Sequence, residues 1–152
     1  CLYVLEEVLR RSARIDAFRV TLADTLRPLS DPVAIQAAAT RMLGNHLQTN
    51  RTLYAELTDG GTRARISADY CSGAASIVGH HRLEAYGPTV LGELQAGRTL
   101  VVDDAESDPR LAADERAAWT ALAVHAGVFV PLFKEGEPRA WLAVHQNRPR
   151  PW

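Results

Sequence analysis

The chain has 152 residues, 47% of them apolar and 23% charged, a balance that fits one globular domain and excludes both disorder and two separately cored units. Seventeen basic against eighteen acidic side chains give a net charge of −1, without the basic excess that binding to nucleic acid needs. Two cysteines, Cys1 and Cys71, are too few for a disulfide scaffold or a four-sulfur zinc site.

Residues 2–29 carry a long helical pattern. Val4, Val8, Arg11, Ile15, Phe18, Leu22, Thr25 and Leu29 step alternately by four and three, the heptad spacing of paired helices. Pro28 and Pro32 end it. A helix of that length, roughly 40 Å at about 1.5 Å per residue, exceeds what one small domain needs. A projecting segment that pairs with a second copy of the chain is expected, with Cys1 at its free end. The alternative is a single helix lying along its own sheet.

A second helix starts at Asp31 as N-cap and Pro32 as first helical residue, and Gly44-Asn45 is expected to stop it. Thr52–Leu57 reads as a strand, Asp59-Gly60-Gly61 as a turn, and Arg65–Tyr70 as a second strand. Residues 71–85 are poorly patterned, with a short extended piece at Ile77–Val78. Tyr86–Ala96 predicts a short helix ended by Gly97, and Thr99–Asp103 a compact strand. The acidic run Asp103, Asp104, Glu106 and Asp108 lacks calcium-loop spacing and reads as a loop that caps the helix 112–123. Ala126–Phe133 and Arg139–Gln146 predict the two closing strands.

Along the last strand Ala140, Leu142 and Val144 alternate with Trp141, Ala143 and His145, so both faces are largely apolar and both require cover. An α+β fold follows, a central antiparallel sheet with helices on both faces and a long N-terminal helix. The two N-terminal helices are expected on one face. The segments between 71 and 123 are expected to roof the Trp141 and His145 face.

Several stretches resemble the GAF domain. They are Ala38-Ala-Thr-Arg-Met-Leu-Gly44 with Asn50-Arg51, Ile77-Val-Gly-His-His-Arg-Leu83, and Gly97-Arg-Thr-Leu-Val-Val-Asp-Asp104. The strand–turn–strand from Val128 through Gly136 to Leu142-Ala-Val-His145 completes the set. The resemblance implies a GAF/PAS-like fold over residues 16–152 without its closing helix, and makes residues 1–15 the end of an interdomain signalling helix. Residues 26–36 look like the approach to this domain in alphaproteobacterial sensor histidine kinases, where a PAS module lies upstream and the kinase elsewhere. The chain, which does not begin with Met, is read as a piece of such a cytoplasmic protein. A homodimer through the N-terminal helix is the implied assembly, with neither nucleic acid nor membrane as a partner.

The resemblance places Tyr70, Tyr86, Trp119, His125, Phe129, Trp141 and His145 in the walls of a pocket for an unidentified small molecule. Aromatic rings with polar edges suit a flat or amphipathic ligand. His125 and His145 are expected to approach each other across the closing ladder, and His145 takes the place of a histidine that contacts bilin in phytochrome-like relatives. No particular cofactor is assigned. The bilin-attaching cysteine is replaced near Asp114-Glu115-Arg116, the cyclic-nucleotide pattern is absent, and haem is left only His125 or His145 as an axial ligand. Catalysis is not expected of these residues, since no nucleophile motif surrounds Ser, His and Asp. A redox module using Cys71 is the third possibility, after a sensor and a plugged, purely dimerising scaffold.

Overall fold

The computed structural model describes residues 2–152, so the expectation for Cys1 lies outside the described residues. The first helix, α1, spans Leu2–Leu26. It stops short of the expected residue 29, because Pro28 has no N–H to donate and pushes Arg27 out of the helical region. The heptad divides into two parts along its length. Phe18, Leu22, Thr25 and Leu29 are half-buried, and Phe18 stacks on His46 at 4.1 Å between ring centroids. Leu2, Tyr3, Val4, Leu5, Val8 and Leu9 are all exposed.

Helix α2 spans Pro32–Leu47. Asp31 caps it as expected, its carboxylate accepting from the Ala34 N–H at 2.9 Å. It does not stop at Gly44-Asn45. The left-handed residue that ends it is Gln48, at φ 53°. Gly44 serves instead as a point of close approach, since a Cβ there would overlap the Tyr70 ring.

Strand β1 (Arg51–Thr58) leads through a 3₁₀ turn at Asp59–Gly61 into β2 (Arg63–Cys71). Next comes β3 (Gly79–Arg82), a strand the sequence reading missed. It is short and polar, and only edge pairing to β2 holds it extended, from Arg63↔Arg82 to Ile66↔Gly79. A second 3₁₀ turn, Leu83–Tyr86, precedes α3 (Pro88–Gln95) and β4 (Leu100–Val102). Helix α4 is Ala113–Ala121, and the closing hairpin is β5 (Ala126–Lys134) with β6 (Glu137–Gln146). Asp108 does not cap α4. It pairs with Arg110 at 2.6 Å, which holds its carboxyl below the usual carboxylate range, and Ala112 takes the N-cap position.

The six strands run in the order β3-β2-β1-β6-β5-β4, each antiparallel to its neighbours. Helix α2 lies on β1 and β2, and α1 lies on α2. The opposite face carries the main core, where Leu53, Ala55, Ile66, Trp141 and Ala143 meet Leu83, Val90, Leu94, Leu111 and Trp119 from the roof. The Trp141 and His145 side of the sheet is therefore sheltered, each residue only 2% exposed.

Candidate functional site

The roofed face is built by strand alternation. Residues i, i+2 and i+4 of a strand share a face, so Arg51, Leu53 and Ala55 of β1 all point under the roof. Their cross-strand neighbours on β6 are His145, Ala143 and Trp141. Arg51 is 2% exposed and makes four hydrogen bonds there. Its Nε and Nη2 donate to the Ala75 carbonyl at 2.9 and 2.7 Å, and its Nη1 to the Leu122 carbonyl at 3.0 Å. Nη1 also meets His145 Nδ1 at 3.3 Å. Ala75 belongs to the loop between β2 and β3, and Leu122 follows α4. One side chain thus ties two parts of the roof to the sheet.

Arginine can only donate, so His145 Nδ1 accepts and its ring proton sits on Nε2. Burial, aided by the adjacent Arg51 charge, pushes the His145 pKa down to about 3. Its effect on stability has a definite sign. The unfolded chain protonates this histidine below about 6.5, while the folded chain resists until about 3. The stability it contributes is therefore complete above pH 6.5 and lost as pH falls through that window, with a slope of up to about 1.4 kcal/mol per pH unit. Urea midpoints measured from pH 7 to pH 4 should fall more steeply for the natural chain than for His145→Gln.

Five of the seven residues assigned to the pocket wall meet here. Tyr86 and Trp141 pack edge to face at 5.6 Å, Trp119 lies 5.3 Å from Phe129, and Phe129 lies 5.4 Å from His145. Burial raises the Tyr86 hydroxyl pKa to about 12, so the ring stays neutral. The rings fill their own space closely. The cavity that Tyr86, Trp119, Phe129 and His145 share with Leu122 and Val124 measures about 10 Å³, room for about one water.

Tyr70 and His125 are corrections. Between the pairs Leu53↔Asp69 and Ala55↔Ile66, β2 carries one extra residue. A bulge of one residue reverses the alternation beyond it. Asp69 is consequently turned under the roof, and Tyr70 packs against Gly44 on the helix side with its hydroxyl donating to Asn45 at 2.9 Å. His125 does not face His145 across the ladder, because His145 pairs with Gly127. The His125 ring lies 3.9 Å from Glu106, near the surface.

Three roof-building residues escaped the sequence reading as site residues. Arg51 was legible as the inward position of the Arg51, Leu53, Ala55 alternation. Asp69 fixes the loop after β2 by accepting from the Ser76 hydroxyl at 2.9 Å and the Ile77 N–H at 2.7 Å. Glu115, 2% exposed, accepts from the Thr89 N–H at 2.7 Å and from the Thr89 hydroxyl and Ala112 N–H at 2.9 Å each. It thereby joins the N-termini of α3 and α4, the helix ends that favour negative charge. Cys71 is half-buried, and burial followed by the Asp69 charge raises its thiol pKa, which favours the unreactive protonated sulfur.

No helix of the described residues is long and apolar enough to cross a membrane. No curated protein matches the chain. Among solved structures it is similar to the phycocyanobilin-bound GAF domain from a cyanobacterial phytochrome. The two share 16% identity over 91% of this chain and 82% of that one, at a TM-score of 0.76. A far-red-absorbing dark-state protein with bound biliverdin IXa matches at 17% identity, over 87% of this chain and 84% of that one, with a TM-score of 0.74. The free methionine-R-sulfoxide reductase from Neisseria meningitidis, in complex with its substrate, matches at 17% identity, over 86% and 72%, with a TM-score of 0.64. Likeness at these identities is likeness of fold. The sequence itself matches the GAF domain over residues 31–152. That match, together with the six-stranded sheet and its roof, establishes that the chain belongs to the GAF domain family.

Proposed function

We propose that this domain is the small-molecule-sensing module of a bacterial signal-transduction protein, a cytoplasmic sensor histidine kinase. Residues 1–15 end an interdomain helix that follows a PAS module, and the kinase chemistry resides elsewhere in the parent chain. The observation that supports this reading is the roofed face itself, where Tyr86, Trp119, Phe129, Trp141 and His145 converge beneath segments tied down by Arg51. A ligand there changes how the roof sits on β1 and β6. The sheet passes that change to α2, and the Phe18–His46 stack passes it to α1. Pairing of the exposed α1 stripe in a homodimer carries it along the chain as a small shift of two helices. No catalytic role is assigned, and a Cys71 redox reaction is disfavoured by the burial that raises its thiol pKa.

A second reading has one observation in its favour. The cavity of about 10 Å³ among the aromatic rings fits a domain plugged by its own side chains, acting only as a dimerising scaffold. Native mass spectrometry of the domain purified from its own host separates the two. The sensor reading expects a reproducible extra mass, and a bare polypeptide mass overturns it in favour of the scaffold. Sedimentation with and without residues 1–15 tests the relay. Dimers that weaken on truncation are expected, and a monomer in both cases rejects pairing through α1.

A further inference from the structure

A chamber larger than the one among the aromatic rings lies on the same face of the sheet. At the hairpin end of the sheet, a cavity of about 140 Å³ lies between the end of β1, the C-terminal half of α3 and the β5–β6 hairpin. Leu57, Leu83, Leu91, Leu94, Pro131 and Trp141 make its walls, and the turn residues Gly60 and Gly61 border it. Gln95 supplies the one polar side chain on its lining. Of the residues assigned to the pocket from sequence, it includes only Trp141.

We infer that this chamber binds a small apolar molecule, of the size of a single aromatic ring or a short branched alkyl group. The inference rests on the sensor reading and gives its ligand a class and a place. Protein interiors are packed so closely that voids larger than a water are few. An apolar cavity of about 150 Å³ excludes water and takes benzene or xenon. The chamber is close to that size, though open at its glycine edge; its side-chain walls are largely apolar, and no charged side chain lines it. Nothing in it would compensate a ligand's charge, and the Gln95 amide leaves room for few polar substituents. Gly60 and Gly61 leave its edge without side chains, and a Cβ at either position would meet nothing within 4 Å. The occupant would touch Trp141, which packs edge to face on Tyr86 of the roof. Occupancy therefore reaches the same roof contacts that the sensing reading invokes.

Toluene is the probe, read by the methyl resonances of the isolated domain. Saturable shifts are expected on Leu57, Leu83, Leu91 and Leu94, with a dissociation constant of roughly 1 mM or tighter for a seven-carbon ligand. Leu57→Phe and Leu91→Phe each place a ring inside the chamber from a different element. Either should weaken toluene by about tenfold or more, as expected when most of an apolar contact surface is taken up. If one variant does not fold, the other carries the comparison. Absence of saturable shifts in the natural chain overturns the inference, as do shifts centred on the Leu122 and Val124 methyls beside the aromatic rings, or undiminished binding in the filled variants. Toluene reports on this chamber alone. A native ligand found by mass while toluene fails would reject the apolar chamber and leave the sensor reading standing.

Discussion

Arg51→Ala is expected to lower the unfolding free energy by roughly 3–5 kcal/mol, measured by urea denaturation. Two opposing effects decide the size. Arg51 is a buried cation with no carboxylate among its hydrogen-bond partners, so its removal relieves a desolvation penalty. Against this, the Ala75 and Leu122 carbonyls and His145 Nδ1 lose their donor, and each orphaned acceptor costs about 1–3 kcal/mol. Three orphans and a cavity outweigh one relieved charge. Arg51→Met separates the two, because it keeps most of the volume and removes only charge and donors. A methionine variant as stable as the natural chain would show that desolvation dominates and that the strap across the roof contributes little. The same variant should raise the His145 pKa only in part, since burial, the larger cause of its depression, remains. A histidine titration followed by NMR reads this directly.

The second large effect is expected at Glu115. Its carboxylate is buried without a basic hydrogen-bond partner and survives there on three donors at two helix N-termini. Glu115→Ala leaves the Thr89 and Ala112 N–H groups unpaired, while the Thr89 hydroxyl keeps the Arg110 carbonyl, and should cost about 3 kcal/mol. Glu115→Gln keeps the shape but turns an amide NH₂ toward an N–H or hydroxyl, so about 2 kcal/mol is expected. Hydrogen exchange provides the local readout. Thr89 and Ala112 amides should both lose protection in the alanine variant and one of the two in the glutamine variant, while those of β1 and β6 follow only the global change. Equal losses everywhere would mean that Glu115 stabilises the whole domain and does not specifically pin the roof. Gly87 lies against this site at φ +87°, where a side chain would be strained and would also strike the Glu115 carboxylate. Its exchange for alanine should therefore resemble loss of Glu115 itself.

The position of Glu115 has a wider meaning for the site. It falls in the short stretch where the family resemblance leads one to look for a chromophore-attaching cysteine. Here that stretch closes the roof by capping, joining α3 to α4 through an acid. The same substitution of structure for ligand chemistry runs through the aromatic set, which packs ring on ring and leaves little space between. The larger space under this roof lies beside Trp141, toward the hairpin.

Local pattern was enough for much of this protein. The heptad of α1, the Asp31-Pro32 cap of α2 and the two-faced apolar alternation of β6 each depend on a few neighbouring residues. From that alternation alone the roof over Trp141 and His145 followed, because an apolar face left in water is unstable whatever the rest of the chain does. Tertiary structure decided what depends on distant partners. Strand β3 has no pattern of its own and exists by pairing with the edge of β2. Gly44 lies inside the helix and does not end it, and the side chain it lacks would occupy the space of Tyr70, twenty-six positions later. A single extra residue in β2 moved Tyr70 out of the site and put Asp69 into it. Arg51, His145, Ala75 and Leu122 are brought together from four separate segments. Side-chain period specifies which face a residue prefers, whereas register, bulges and the spaces between layers emerge only when the strands and their roof are assembled.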